Sequence, residues 1–112
     1  MICRIWHGWT TEEHAEAYEH LLRDEIVGGI LQREIPGFLA IEVFKRSVPD
    51  GIEFVTMMRF DSIEAVQRFA GPDYEMAVVP PAARQLLTRF ERRSAHYSVI
   101  ERKIRPWPTT NN

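Results

Sequence analysis

The sequence predicts an α+β fold in which one antiparallel sheet carries helices on a single face. Four stretches are rich in β-branched and aromatic residues and are bounded by Pro, Gly or Asp. Two stretches between them carry apolar residues at helical spacing. The elements therefore follow one another as strand, helix, strand, strand, helix and strand, which is the order of a split βαβ unit.

Length and charge limit the class of protein. A chain of 112 residues forms one domain. Its 14 basic and 16 acidic residues leave no excess of cations to neutralise the phosphates of a nucleic acid. The single cysteine, Cys3, cannot form an intrachain disulfide, which favours a reducing, cytoplasmic setting. Because no apolar run is long enough to cross a membrane, we expect neither nucleic acid nor a membrane as partner.

The N-terminal part predicts a strand followed by a helix. Residues 1–9 form the first strand, with apolar side chains on both of its faces. Thr10 and Glu13 match a capping box, which predicts that the first helix begins there. The Gly-Gly pair at 28–29 predicts its C-terminal end.

The middle of the chain predicts a β-hairpin. The Pro-Gly pair at 36–37 is a turn signal that leads into the second strand, residues 38–46. Pro-Asp-Gly at 49–51 closes a hairpin, and the third strand covers residues 52–60. Both strands carry apolar residues on both faces.

The C-terminal part predicts helices and a last strand. Asp61 and Glu64 repeat the capping pattern and open the second helix, which the Gly-Pro pair at 71–72 ends. Residues 73–79 are expected to add helical turns, and a further short helix starts at Pro81.

The last strand and the tail complete the chain. The fourth strand covers residues 91–101. We therefore expect one domain over residues 1–101, followed by a C-terminal tail at 102–112. The tail contains Trp107, which we expect either to be mobile or to dock on a neighbouring subunit.

These elements predict a ferredoxin-like βαββαβ unit with a four-stranded antiparallel sheet. Two helices can cover only one face of such a sheet. Since the strands are apolar on both faces, the uncovered face would expose a large apolar patch in a monomer. We therefore expect a homodimer whose sheets pack against each other.

Four short motifs resemble those of a known family. They are Ile-Pro-Gly-Phe at 35–38, Phe-Asp-Ser-Ile-Glu-Ala at 60–65, Phe-Ala-Gly-Pro-Asp at 69–73 and His-Tyr at 96–97. Over residues 1–101 the chain resembles an uncharacterised branch of the antibiotic biosynthesis monooxygenase group of dimeric α/β barrel proteins. The resemblance implies a homodimer and a monooxygenase-like activity on a small aromatic or phenolic compound.

Two positions depart from other members of this group. Many members have a Trp where this chain has Phe60, and haem-degrading members have a ligand His where it has Phe69. Haem degradation by the familiar arrangement is therefore disfavoured. The four histidines show no metal-ligand spacing, so we expect no metal. The resemblance to a group that includes cofactor-independent monooxygenases implies that no cofactor is needed.

His96 is the candidate general base, because imidazole titrates near neutral pH. In a cofactor-free oxygenase, the protein must deprotonate a phenol, hold the anion and exclude water while the anion reduces dioxygen. In the alternative interpretation, His96 is a partly buried residue bonded to a backbone carbonyl or to Tyr97.

Arg4 is the candidate that stabilises the anion or binds a substrate carboxylate. The alternative is an ion pair across the sheet with Glu42, Glu53 or Glu101.

Two aromatic residues are candidate walls of the substrate site. Trp6 either stacks on the substrate ring or fills the core, and Tyr74 either donates its hydroxyl to a pocket or lies in a surface turn. Strand alternation places His7 on the face opposite to Trp6. Cys3 is expected to be a small core residue.

The sequence thus predicts a homodimeric, cofactor-independent monooxygenase-like protein. Two alternatives remain. One is a non-catalytic dimer that binds a small ligand or serves a stress-related role. The other is a small lyase or isomerase that uses His96 and Arg4 on a carbonyl compound.

Overall fold

The structure, a computed structural model, describes residues 1–106. The elements in chain order are β1 (Ile2–Thr10), α1 (Glu12–Leu21), a π-helical segment (Leu22–Val27), α2 (Gly28–Gln32), β2 (Phe38–Val48), β3 (Gly51–Phe60), α3 (Ile63–Ala70), α4 (Pro81–Leu86), β4 (Leu87–Phe90) and β5 (Ala95–Ser98). Within these described residues, no helix is both long and apolar enough to cross a membrane.

All strand pairs are antiparallel, and the sheet order is β2-β3-β1-β4. The fifth strand, β5, pairs with the N-terminal half of β1, and β4 pairs with its C-terminal half. This arrangement confirms the predicted α+β fold with an antiparallel sheet.

The predicted fourth strand is divided into β4 and β5, so residues 1–106 contain five strands rather than four. At the break, Glu91 Oε1 accepts a hydrogen bond from the backbone N–H of His7 at 2.9 Å, where a neighbouring strand would supply a carbonyl. Residues 92–94 leave the sheet and form backbone hydrogen bonds with residues 75–77. Because residues 75–77 make these hydrogen bonds with residues 92–94, residues 73–79 form an irregular loop and not the predicted helical turns.

Both long helices begin one residue later than predicted. The N-caps are Thr11 and Ser62, and not Thr10 and Asp61. Each cap hydroxyl accepts a hydrogen bond at 3.2 Å from the backbone N–H three residues further on. Thr10 is instead the last residue of β1, and its side chain is buried.

The predicted end of the first helix at 28–29 is wrong. The chain stays helical through the π-helical segment and α2, with φ −59° and ψ −43° at Gly28. Ile26 and Ile30 lie on this stretch and pack against the core. Each glycine costs a helix about 1 kcal/mol relative to alanine, and tertiary packing of the apolar face outweighs that cost.

The predicted turn at 36–37 is confirmed. The backbone N–H of Phe38 donates to the carbonyl of Ile35 at 3.1 Å, and Gly37 has φ +88°. This is the positive φ that the third position of a type II turn requires. The predicted hairpin at 49–51 also forms, with Val48 opposite Gly51.

Two groups of buried side chains fill the space between the sheet and the helices. The first contains Ile35, Met58, Phe60, Ala65, Val66 and Phe69. The second contains Tyr18, Leu22, Phe54 and Ala83. Cys3 is a buried free thiol, as predicted.

The other face of the sheet is apolar at its centre. Register places Ile5, Met57, Val55 and Phe44 on that face, and Tyr97 lies on it at the edge. These side chains are half-buried or exposed within the single chain.

The chain beyond β5 carries no regular structure up to residue 106. The backbone N–H of Val99 still donates to the carbonyl of Met1 at 3.0 Å, whereas Ile100 is 99% exposed. The domain boundary after residue 101 stays a prediction. Trp107 lies outside the described residues.

We expect Gly28→Ala to raise the free energy of unfolding by about 0.5–1 kcal/mol, because the residue is helical and an added Cβ meets no atom within 4 Å. Urea unfolding followed by circular dichroism measures this change. Gly37→Ala is the matched control: its φ is positive and its Cβ would lie 2.5 Å from Asp61 Oδ1, so it should destabilise the fold. A loss of stability in Gly28→Ala would show that the helix does end there.

Candidate active site

Arg4 is a buried cation at the centre of the sheet face that carries the helices. Its side chain lies on β1, and only 3% of the residue is exposed. The guanidinium donates to the carbonyl oxygens of Tyr74 and, at 3.1 Å, Met76. A third contact joins Arg4 Nη1 and His96 Nε2 at 2.9 Å. All three partners are neutral groups, two of them carbonyls.

The charge of Arg4 has no carboxylate partner within ion-pair distance among residues 1–106. The expected alternative, an ion pair with Glu42, Glu53 or Glu101, is therefore wrong. Glu53 pairs with Arg46. Burial lowers the pKa of Arg4 to about 10, which leaves the side chain protonated at neutral pH.

His96 lies directly opposite Arg4 in the pairing of β1 with β5. Because arginine can only donate, His96 Nε2 must be the acceptor, and the proton of the neutral ring lies on Nδ1. Nδ1 is buried and makes no well-formed hydrogen bond in the described structure. Burial, and then the charge of Arg4, lower the pKa of His96, while Glu75 and the main chain of Ser94 act more weakly in the opposite direction.

Tyr74 packs against the imidazole, and it is not among the residues that line the cavity between the sheet and the helices. The edge of one ring faces the other, with centroids 5.0 Å apart and an interplanar angle of 80°. Tyr74 thus contributes its ring to His96 and its carbonyl to Arg4. Tyr97, the chain neighbour of His96, points to the other face and is 57% exposed.

Trp6 lies on the same face as Arg4, as strand alternation predicts. Its indole N–H donates to the carbonyl of Glu91 at 2.8 Å. The ring lies over Gly8, where an added Cβ would be 2.5 Å from the indole. His7 points to the opposite face, where Nδ1 lies 2.9 Å from Glu91 Oε1.

A small cavity lies between the sheet and the helices, at the junction of the two core groups. Arg4, Trp6, Thr56 and Met58 form its floor. The other lining residues are Tyr18, Leu22, Ile26, Ile30, Phe69, Val78, Val79, Pro80, Ala83 and Ser94. The cavity volume is about 50 Å³. This lining is apolar apart from a few polar groups, and Arg4 supplies its positive charge.

The four predicted site residues are thus brought together, but not all in the cavity. Arg4 and Trp6 line it, whereas His96 and Tyr74 contact Arg4 from outside the lining. The chemical roles assigned to the four residues stay predictions.

Sequence reasoning missed Ser94. The residue is 5% exposed and lines the cavity, and its hydroxyl has no hydrogen-bond partner among the described residues. A serine within a presumed regular strand gave no signal of this. Ser94 could have been found only by predicting that the strand breaks at Glu91. That break depends on a hydrogen bond between the Glu91 side chain and β1, which the sequence does not show.

The cover of the cavity includes a π-helical segment. Leu22 and Ile26 of this segment line the cavity. Short π-helical turns inside α-helices are uncommon and often lie at functional sites.

A larger groove of about 820 Å³ lies between α1 and the β2–β3 hairpin. It is lined by charged side chains that pair with each other, including Arg23 with Glu19 at 3.4 Å and His20 with Asp24 at 3.0 Å. It offers no buried cation comparable to Arg4. Within residues 1–106, no group of three or more His, Cys, Asp or Glu side chains could hold a metal ion.

Several solved structures share this fold. A proposed antibiotic biosynthesis monooxygenase from Bacillus cereus has a TM-score of 0.65 at 20% sequence identity, covering 93% of this chain and 97% of that one. A variant of SnoaB, a cofactor-independent oxygenase from Streptomyces nogalater, has a TM-score of 0.58 at 16% identity, covering 90% and 94%. A dimeric ferredoxin-like protein from an uncultured marine organism has a TM-score of 0.58 at 15% identity, covering 93% and 98%.

No family model and no curated protein matches the chain. At identities of 15–20%, the structural likeness shows the fold alone. The resemblance drawn from the sequence motifs is confirmed at that level.

We expect the stability of the protein to fall as the pH is lowered from about 7 to 5, in part because of His96. The pKa of His96 in the folded state lies below its ordinary value of 6.5, so the unfolded chain binds the proton more readily. The stabilisation is complete above pH 6.5 and is lost as the pH falls toward the folded-state pKa. His96→Gln keeps an acceptor for Arg4 and does not titrate, so its stability should depend less steeply on pH.

Thermal unfolding at a series of pH values measures this difference. His20→Gln, at an exposed position of α1, is the matched control. Equal pH dependence in wild type and His96→Gln would contradict the prediction.

Proposed function

We propose that this protein is a homodimeric, cofactor-independent monooxygenase-like protein that acts on a small aromatic or phenolic compound. The observation that carries the proposal is Arg4, a buried cation without a carboxylate partner in the described structure, at the floor of a largely apolar cavity. Cofactor-independent oxygenase chemistry needs such a place, because the reacting species is the anion of the substrate.

The charge of Arg4 would stabilise the ionised substrate oxygen. A charge-assisted hydrogen bond contributes about 1.5–3 kcal/mol, and more where water is excluded. The ring of the substrate would lie against Trp6, Met58 and Phe69. The anion then reduces dioxygen itself: in an anthrone-like compound, a CH2 group becomes a carbonyl, and the second oxygen atom leaves as water with both hydrogens.

His96 would accept the phenolic proton in this proposal. Its Nε2 now lies 2.9 Å from Arg4 Nη1, so an oxygen that replaces His96 as the partner of Arg4 would lie close to a free imidazole nitrogen. The lowered pKa of His96 keeps the ring neutral, and therefore able to take a proton, at neutral pH. Tyr74 would hold the imidazole in place through its edge-on contact.

The size of the cavity sets a condition on this function. A cavity of about 50 Å³ holds one or two water molecules, whereas a dry cavity of about 150 Å³ takes a benzene ring. Binding of an aromatic ring therefore requires part of the cover to move. Ile26 of the π-helical segment and Val78 in the loop before α4 lie on the cover.

The homodimer is supported by the uncovered face of the sheet. Ile5, Val55 and Met57 form an apolar centre there, and a protein of the same fold is described as dimeric. Association through this face would bury these side chains, as expected of a permanent dimer interface.

The activity is tested by oxygen consumption over a panel of quinols and anthrone-like phenols. We expect wild type to consume oxygen with at least one compound, and Arg4→Gln to lose about 100-fold or more in kcat/KM, as for loss of one oxyanion donor. Arg4→Lys keeps the charge and shows whether loss of activity follows the cation or the fold. His96→Ala should lower kcat as well.

Arg33→Gln is the matched control for Arg4→Gln. Arg33 also donates to two carbonyl oxygens and, like Arg4, lies over the ring of Phe69, at 5.5 Å, but it does not line the cavity. Equal rates for Arg4→Gln and wild type would remove Arg4 from the mechanism, and no oxygen consumption with any compound would favour the non-catalytic alternative.

We expect Val55→Glu to convert a dimer into a monomer, because it places a charge at the centre of the apolar face. Sedimentation velocity at micromolar concentration measures the change. Leu31→Glu, at an exposed apolar position on α2, is the control and should remain dimeric. A wild-type protein that sediments as a monomer would refute the dimer itself.

A further inference from the structure

We propose that Ser94 is the second polar anchor of the cavity, and that its hydroxyl binds the same ionised oxygen as Arg4. The cavity would then select phenols and aromatic acids that carry one negative charge. This inference rests on the proposed use of Arg4 as an anion site, but it does not require the oxygenase reaction.

The hydroxyl of Ser94 has unused hydrogen-bonding capacity inside the protein. Only 5% of the residue is exposed, and the hydroxyl has no partner among the described residues. Most buried polar groups in proteins are hydrogen-bonded, because an unpaired one costs about 1–3 kcal/mol. The hydroxyl of Ser94, on a residue that lines the cavity, is therefore able to pair with a molecule that occupies the cavity.

The backbone, and not the hydroxyl, holds Ser94 in place. Its N–H donates to the carbonyl of Glu75 at 2.7 Å, and the preceding Arg93 forms an isolated bridge with Met76. Two residues further on, His96 pairs with Arg4. Ser94 is thus fixed next to the site by contacts that leave its side chain free for a ligand.

The two anchors complement each other chemically. Arg4 supplies a fixed positive charge and donors only, whereas a serine hydroxyl can rotate and either donate or accept. An ionised oxygen can accept from both groups at once. Because Arg4 is the only cation among the described residues that line the cavity, a ligand with two negative charges would leave one of them unpaired in apolar surroundings.

The test uses 4-nitrophenol, whose phenolate absorbs visible light, and nitrobenzene as a neutral ring of the same shape. We expect wild type to bind 4-nitrophenol as the phenolate and to lower its apparent pKa. Ser94→Ala should weaken this binding about tenfold, as expected for one hydrogen bond to a charged group, and should leave nitrobenzene binding unchanged. The melting temperature of ligand-free Ser94→Ala should not fall, since an unpaired buried hydroxyl has been removed.

Thr10→Val is the matched control. The hydroxyl of Thr10 is also buried and without a partner in the described structure, but Thr10 does not line the cavity. Its removal should therefore leave the affinity for 4-nitrophenol unchanged.

Equal affinity for 4-nitrophenol in wild type and Ser94→Ala would overturn the inference, as would equal weakening in Thr10→Val. Neither result depends on oxygen consumption. A protein that binds the phenolate through Ser94 but consumes no oxygen would support this inference while contradicting the proposed reaction.

Discussion

The structure depends on how Arg4 is accommodated in the interior. An unpaired buried charge costs several kcal/mol, and no carboxylate offsets that cost within the described residues. Two carbonyl oxygens, one imidazole nitrogen and the ring of Phe69, 5.3 Å away, surround the guanidinium instead. These neutral groups solvate the cation without cancelling its charge. The loop at 73–79 must therefore lie close to the sheet, because it supplies both carbonyl oxygens.

Glu91 provides the second constraint, because its carboxylate accepts a backbone hydrogen bond from β1 that the carbonyl of a neighbouring strand would otherwise accept. By accepting from the backbone of His7, it lets the chain leave the sheet between β4 and β5. Residues 92–94, which lie outside the sheet, supply backbone partners for the loop that surrounds Arg4. The chain then rejoins the sheet as β5, which places His96 opposite Arg4. A continuous edge strand would have paired these residues with β1 and left the loop without partners.

The sequence was informative where a residue's own conformation decides the outcome. A positive φ at Gly37 and alternation along β1 gave the turn and the shared face of Arg4 and Trp6. It was not informative where distant contacts outweigh local preference. The helix continues through Gly28 because residues on either side pack against the core. Ser94 lies at the cavity because the strand breaks at Glu91, and that break involves a contact with His7, 84 residues away in sequence.

The π-helical segment changes which side of the helix faces the sheet between its first and its last part. A π-turn holds one residue more than an α-turn, and each residue turns an α-helix by about 100°. The part before the extra residue presents Tyr18 to one core group, and the part after it presents Ile30 to the other. The cavity lies between these two groups. Losing a single residue there would bring both parts into one phase and turn one of these side chains away from the sheet. The length of this segment therefore fixes which side chains of the helix face the two core groups.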